Sequence, residues 1–404
     1  MTGMGAVTPV GVGTEKYWGG LAAGECGIDR ISSFDASELA VQIAGEVKAF
    51  RAEDHLPGKL IHETDAFTQY AFAAAKEALA QAAREERLPA SAQRCGIVMG
   101  TAMSGIDTIA ATQEILTNAV HKNVGPRFVP RILGNIAAGQ IAIEYGITGP
   151  SFTLSTACAS GGDAILMSAM QLLAGEADVM LAVGADSTLC PLVIYSLANA
   201  RALSRENDSP QAACRPFDRE AKGFVMGEGG GALVLETESH AKARGAEILA
   251  ELAGWANNND AYHVTKPAED GSRAAACMRK ALEQAGMEPS EIDCINAHGT
   301  GAAKGDLAEV RAMEDVFKGF HPVISATKAA TGHMMGGGGI TEVIACIKAM
   351  ETGTVPPTLN LEHPVSDMDF AMETRSGLEI RTAMSNAFGF GGQNSTIIMR
   401  QYSR

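Results

Sequence analysis

The spacing of apolar residues changes period repeatedly along the chain, and each change marks an element. AFTQYAFAAAKEALAQAA (66–83) repeats its apolar positions at helical spacing and predicts an amphipathic helix, whereas CGIVMGTA (95–102) is a continuous apolar run and predicts a buried strand. SFTLST, from Ser151, alternates as a short strand does; DAILMSAMQLLAG, from Asp163, is apolar nearly all round, as a buried helix is. Gly175 is placed to end that helix, and DVMLAVGAD (178–186) returns to a strand buried on both faces. Strand, helix and strand in this order predict an α/β fold with parallel strands. The polar, turn-rich SRENDSPQAACRPFDREAKG (204–223) predicts a long surface loop. GGALVLETESHAKARGAEILAELAGW then predicts strand, helix and strand, with a boundary near residue 248.

The pattern beyond that boundary repeats the pattern before it. PVISATKAATGHMMGGGGITEVIACIKAM (322–350) has the same plan as the segment around Ser151: proline, short strand, corner of small residues, buried helix. The corners lie about 175 residues apart, so residues 1–248 and 249–404 are expected to be duplicated α/β halves, with Cys158 and His333 at equivalent positions. DCINAHGTGAAKGDLAEVRAMEDVF places His298 at a strand end, before a helix expected to begin around Gly305. TAMSNAFGFGGQNSTIIMRQ closes the plan with two strands around a glycine-rich turn that carries Phe388 and Phe390.

With 404 residues, 46% of them apolar and 20% charged, the chain can bury a large core. No run reaches the roughly 18 to 20 apolar residues of a membrane span, and MTGMGAVTPVGVG lacks the basic start and apolar centre of a signal peptide, so a cytoplasmic protein is expected. Eight scattered cysteines without C-x-x-C pairs argue for reduced thiols and against a disulfide framework or a zinc site. A net charge of −15 disfavours nucleic acid or an anionic membrane as the main partner. TGMGAVTPVG lacks the full dinucleotide fingerprint, Gly336 to Gly339 lack a phosphate-loop lysine, and IHETDAF is not H-E-x-x-H, so neither a cofactor nor a metal is expected.

Chemistry concentrates at three corners. Cys158 stands between strand and helix in STACASGG, where unpaired N–H groups and the helix dipole are expected to lower a thiol pKa; elsewhere a cysteine is by default a small buried hydrophobe. His298 and His333 also stand at strand ends, where open α/β sheets bind ligands. A thiolate with one histidine suits acyl transfer. Two neutral imidazoles can in addition donate to one developing oxyanion, as an enolate requires. Lys328, five residues before His333, is placed to keep an imidazole neutral, and Glu342 on the following apolar helix is a candidate to pair with it.

The segments STACASGG, NAHGTGAAKGDLAE, TKAATGHMMGGGG and NAFGFGGQN, in this order, resemble the β-ketoacyl-acyl carrier protein synthases I/II, and the similarity covers essentially the whole chain. The resemblance implies a thiolase-like fold, two duplicated halves in a five-layer αβαβα sandwich. It implies Cys158 as the acylated nucleophile, His298 and His333 as the decarboxylation pair, Lys328 and Glu342 as their support, and N–H groups of Cys158 and Phe390 as oxyanion donors. Phe390 would also gate the acyl pocket, beside Phe388, with Met103 lining the acyl tunnel and Thr300 near the pantetheine arm. The partners implied are an acyl carrier protein and a second copy or homologous subunit. A Cys-His-His set separates the chain from starter synthases with Cys-His-Asn and from thiolases with a second catalytic cysteine. The implied activity is 3-oxoacyl-carrier synthesis in fatty acid elongation; a type II polyketide ketosynthase is the near alternative, and a scaffold subunit, which would lack the cysteine, the remote one.

Three departures from the family pattern stand out. The family opens with more strand residues before T-G-x-G; this chain reads Ala302 where relatives carry a hydroxyl; and His62 and Glu63 in KLIHET replace basic docking residues. Lys59, Lys122, Arg127, Arg131, Arg201 and Arg205 remain as docking candidates.

Overall fold

A computed structural model of the chain describes residues 1–83, 88–118 and 124–403. Among the described residues twelve strands follow in order: β1 (Gly3–Val7), β2 (Ile28–Arg30), β3 (Ile43–Gly45), β4 (Cys95–Gly100), β5 (Ser151–Leu154), β6 (Val179–Asp186), β7 (Gly229–Glu236), β8 (Glu251–Asn259), β9 (Cys294–Asn296), β10 (Val323–Ser325), β11 (Thr382–Gly389) and β12 (Gln393–Arg400). Ten of them build two sheets, in the orders β1-β7-β6-β4-β5 and β10-β9-β11-β12-β8, and β2 pairs with β3 as a small ribbon.

The two sheets repeat one another strand for strand. In the first, β5, β4, β6 and β1 all run the same way and β7, between β6 and β1, runs against them; in the second, β10, β9, β11 and β8 run the same way and β12, between β11 and β8, runs against them. The expectation of parallel strands therefore holds for the direction of four strands in each sheet and fails for one, β7 in the first and β12 in the second. Apolar patterning reports burial of a strand and is silent on its direction.

The continuous apolar runs bury both faces of each sheet, and alternate side chains sort into separate layers. On β6, Met180 and Ala182 join the central core while Val179, Leu181 and Val183 face an outer core with Phe67, Phe72 and Leu79 of the Ala66–Ala83 helix. On β12, Ile397 and Met399 face inward, and Ile398 faces the outer helices Ser272–Ala285 and Ala303–Val316. The central layer is the pair of buried helices Ser160–Leu173 and Gly338–Thr352. Helix, sheet, helix, sheet, helix is the resulting stack. Among the described residues no helix is long and apolar enough to cross a membrane.

Both central helices begin at a backbone turn of the same unusual shape. Ala157 (φ 52°) and Met335 (φ 48°) hold left-handed backbone without being glycine, and a 3-10 turn links each to its helix. Gly336 is therefore the counterpart of Cys158. His333 lies three residues upstream of Gly336, a correction to the expected equivalence; the extra turn Lys328–Thr331 lengthens the second corner. The 204–223 segment also departs from a simple surface loop. Its Phe217 is fully buried, with its ring 4.9 Å from that of Phe370.

The central helices meet where neither has a side chain. A Cβ at Gly161 would lie 2.6 Å from the Gly336 carbonyl oxygen and 2.9 Å from the Ile340 nitrogen, both backbone atoms that cannot turn aside. Gly161→Ala is expected to lower unfolding stability by roughly 1–3 kcal/mol through overpacking. Gly19→Ala, at an exposed position of the Thr14–Ala23 helix with no atom within 4 Å of the new methyl, should raise it by roughly 0.5–1 kcal/mol. Urea unfolding midpoints of the two variants, moving in opposite directions, are the check.

Candidate active site

β5 delivers the chain to Cys158 through the strained Ala157, and Ser160 braces the turn by accepting the Thr156 N–H (2.9 Å) and donating to the Ala157 carbonyl (2.6 Å). From the other sheet, the end of β11 closes on the same turn. A Cβ at Gly389 would lie 3.0 Å from the Cys158 nitrogen, so glycine there keeps that N–H uncovered. The N–H groups of Cys158 and Phe390 face the sulfur. Burial nevertheless pushes the thiol up to about 11, against the pull of the Lys328 charge and those two donors. The expected depression by the helix start is thus overturned, because desolvation outweighs it.

His298 follows β9, and its backbone is held by carboxylates from the next helix. Glu309 accepts from the N–H groups of His298 and Gly299 at 2.8 Å each, while Asp306 accepts from those of Thr300, Gly301 and Phe217 at 2.9–3.1 Å. Sequence reasoning passed over both acids. Their signal was present in GAAKGDLAEV, where two carboxylates three residues apart occupy the face that also carries Val310 and Met313.

His333 is locked by its backbone on both sides, donating to the Val225 carbonyl (2.8 Å) and accepting from the Gly227 N–H (2.9 Å). Its ring stands edge-on to His298, with centroids 5.4 Å apart, and to Phe224 at 5.6 Å; Phe388 lies 5.7 Å from His298. Burial first and the Lys328 charge second push His333 down to about 3, and the same causes, with His333 added, push His298 well below its ordinary value. Both rings are neutral at pH 7, and neither Nδ1 has a hydrogen-bond partner among the described residues. Lys328 donates to Glu342, both almost fully buried, and burial pushes the Glu342 carboxyl up to about 7 despite that attraction.

The remaining predicted residues divide. Thr300 is buried beside this loop, its hydroxyl accepting the Ala302 N–H at 3.2 Å, and Ala302 begins a helix that has no side-chain cap. Phe390 and Met103 are 41% and 36% exposed, Phe390 at the hairpin tip and Met103 on the loop after β4. Lys59 is exposed on the Gly58–Glu63 helix, and Arg127 forms an ion pair with Glu63, one of the acidic departures. Arg131 is half-buried, near the Asp65 carboxyl. Lys122 lies outside the described residues. Arg201 and Arg205 border a cavity of about 380 Å³ with Leu203, Glu206 and Lys222, which the sequence reading did not single out. Its lining residue Leu203 pairs with Phe224, the ring that touches His333.

The family model described as "Beta-ketoacyl synthase, N-terminal domain" matches residues 1–241, and its C-terminal counterpart matches residues 249–362. The chain belongs to the beta-ketoacyl synthase family. The synthase is 38% identical over 403 residues to the 3-oxoacyl-[acyl-carrier-protein] synthase 2 of Coxiella burnetii, covering 99% of this chain and 97% of that one. Its fold superposes on the ishigamide ketosynthase/chain length factor with a TM-score of 0.91 at 32% identity, covering 100% and 98% of the two chains. It also superposes on AntDE:AntF, a type II PKS acyl-carrier protein in complex with its ketosynthase bound to the hexaketide, with a TM-score of 0.89 at 33% identity and the same coverage. The thiolase-like architecture is thereby shown.

A neutral His333 makes the stability of the synthase depend on pH. Below about 6.5 the unfolded chain binds a proton at this residue that the folded chain refuses until about 3, so stability falls with falling pH in that window, by up to about 1.4 kcal/mol per unit. Asp107, Asp306 and Glu342, raised to about 7, have the opposite sign, since their folded forms bind protons more readily from about 7 downward. Comparison with His333→Asn isolates the histidine. Between pH 7.5 and 5.5 the variant is expected to lose about 1.4 kcal/mol less than the wild type in urea unfolding; equal losses would contradict a neutral, buried His333.

Proposed function

We propose that the protein is a 3-oxoacyl-[acyl-carrier-protein] synthase that carries an acyl chain on Cys158 and extends it by decarboxylative condensation. The observation that carries this reading is the meeting of two complementary anion sites: two backbone N–H groups at the Cys158 sulfur and a pair of neutral imidazoles next to one buried ammonium.

In the first half-reaction the Cys158 sulfur attacks the acyl thioester, the oxyanion is held by the N–H groups of Cys158 and Phe390, and the carrier thiol leaves with the proton. In the second, malonyl-carrier loses CO₂ by breaking its C–C bond. The electron pair passes into an enolate, whose oxygen accepts from His298 and His333. The carbanion then attacks the acyl carbonyl, the C–S bond breaks, and Cys158 sulfur departs to leave a 3-oxoacyl-carrier. Burial first, and the charge of Lys328 tied to Glu342 second, keep both rings neutral and hence able to donate from one nitrogen only.

The carrier is read as docking at the cavity of Arg201, Arg205 and Lys222, where Lys222 is paired with Glu206 and the lining residue Leu203 pairs with Phe224 beside His333. β5 is a sheet edge with Ser151 and Phe152 exposed, and Met170, Leu173, Leu192 and Tyr195 are exposed as well, which supports pairing with a second copy or a homologous subunit. A specialised polyketide role is the second reading, favoured by the fold match to a ketosynthase/chain length factor.

Incubation with an acyl-carrier is expected to give one adduct, on Cys158, by peptide mapping; an adduct on Cys26 or Cys190 would remove the assignment. His298→Ala and His333→Ala should each slow malonyl-carrier decarboxylation by about 100-fold or more while slowing Cys158 acylation far less, and equal losses would make one histidine the base for the thiol. Gly389→Ala should show the reverse selectivity, because the new methyl crowds the Cys158 N–H: acylation falls by about 100-fold and decarboxylation is spared.

A further inference from the structure

We propose that Asp186 is a positioning residue for the acyl-facing loop Thr101–Met103, holding it against the catalytic turn and so setting which acyl chains Cys158 accepts. This rests on the reading above that Cys158 is acylated and Met103 lines the acyl pocket.

The duplication supplies the first observation. β11 and β6 occupy the same place in their sheets and end at Gly389 and Asp186. Gly389, having no side chain, leaves the Cys158 N–H open. Asp186 does the reverse to the matching group of the other half: its Oδ2 accepts the N–H of Gly336, the counterpart of Cys158, at 2.8 Å. One half therefore keeps an anion-binding turn free for substrate, while the other fills its turn with a carboxylate of the chain itself.

The second observation is what else that carboxylate holds. Asp186 is fully buried, and its Oδ1 accepts from the Thr101 hydroxyl (2.8 Å) and the Met103 N–H (3.0 Å) while Oδ2 accepts from the Ala102 N–H (2.8 Å). Three of the four donors thus come from three consecutive residues after β4. Three backbone N–H groups and one hydroxyl converge on its two oxygens, an arrangement that suits an acceptor-only carboxylate and works against the burial that raises its pKa. The loop depends on this clamp, since Ser104 at its end has left-handed backbone (φ 52°) and regular pairing stops at Gly100.

The third observation joins the clamp to the nucleophile. The far side of the same loop touches the nucleophile corner: Ser155 Oγ donates to the Ala102 carbonyl at 3.4 Å, and Ser160 Oγ, whose proton goes to the Ala157 carbonyl, lies 3.4 Å from the Thr101 carbonyl. Asp186 thereby fixes the distance between the Met103 backbone, the Cys158 corner and the Gly336 turn. An amide in its place would aim an NH₂ at two of the donors and release the loop.

The test uses the full chain with acyl-carriers from C2 to C16, measuring initial rates of Cys158 acylation by intact mass, with malonyl-carrier decarboxylation in parallel. D186N and T101V are the variants; T101V keeps the carboxylate and removes the Thr101 hydroxyl, which donates to Asp186 and accepts the Ser104 N–H at 3.1 Å, so it decides the matter if D186N does not fold. The expected result is that the ratio of kcat/KM between the longest and shortest accepted chains shifts by about fivefold or more, more in D186N than in T101V, with decarboxylation within about threefold of wild type. A chain-length ratio unchanged in a folded variant, or a uniform loss across all chain lengths, overturns the role of Asp186. Wild-type protein that takes no acyl chain on Cys158 overturns the reading beneath it as well, and that result is read before either variant is made.

Discussion

One buried ammonium organises the site. Lys328 sits almost fully inside the protein, paired with Glu342, and its charge reaches the Cys158 sulfur and both imidazoles at once. A positive charge in a poorly solvated interior favours anions and disfavours further cations, so the same group draws the thiol toward its ionised form and keeps the histidines from taking protons. Substituting a neutral side chain would leave Glu342 buried without its partner, a larger disturbance than loss of a surface ion pair. The glycine-rich corner around it, in which residues 326 to 350 are all buried, keeps water from weakening these effects.

The duplicated sheets put those groups within reach of one another. Each half ends its parallel strands at the same level, and the two central helices start there from turns with the same left-handed residue. Cys158 comes from one half, the histidines from the other, and Phe390 crosses on a hairpin to complete the sulfur's surroundings. The core that holds this arrangement is continuous across both sheets, with Ile165 and Leu172 of one helix and Ile340, Val343 and Ile344 of the other in a single cluster.

Much of this was legible in the residues. The Ala66–Ala83 helix begins where its apolar stripe begins, after Asp65. The Cys158 corner, the two histidines and the Lys328–Glu342 contact were legible because reactive or charged side chains among glycine, alanine and apolar neighbours have few other places to be. Strand direction was not legible, since β7 alternates in the same way whichever way it runs. Nor was the thiol's pKa, because a helix start is visible locally whereas the desolvation that overrides it is the sum of contacts from distant segments. Asp306 and Glu309 escaped for a related reason: their role lies in backbone N–H groups, which leave no mark in the residue types they belong to.

The crossing hairpin also bears on when the surroundings of the sulfur are complete. Phe390 is joined to the chain more than two hundred residues after Cys158, so during synthesis Cys158 is made long before the Phe390 N–H that faces its sulfur. Until β11 and β12 dock, the sulfur lacks the Phe390 N–H that acts against desolvation in the finished fold, and the surroundings of Cys158 become a property of the finished molecule alone.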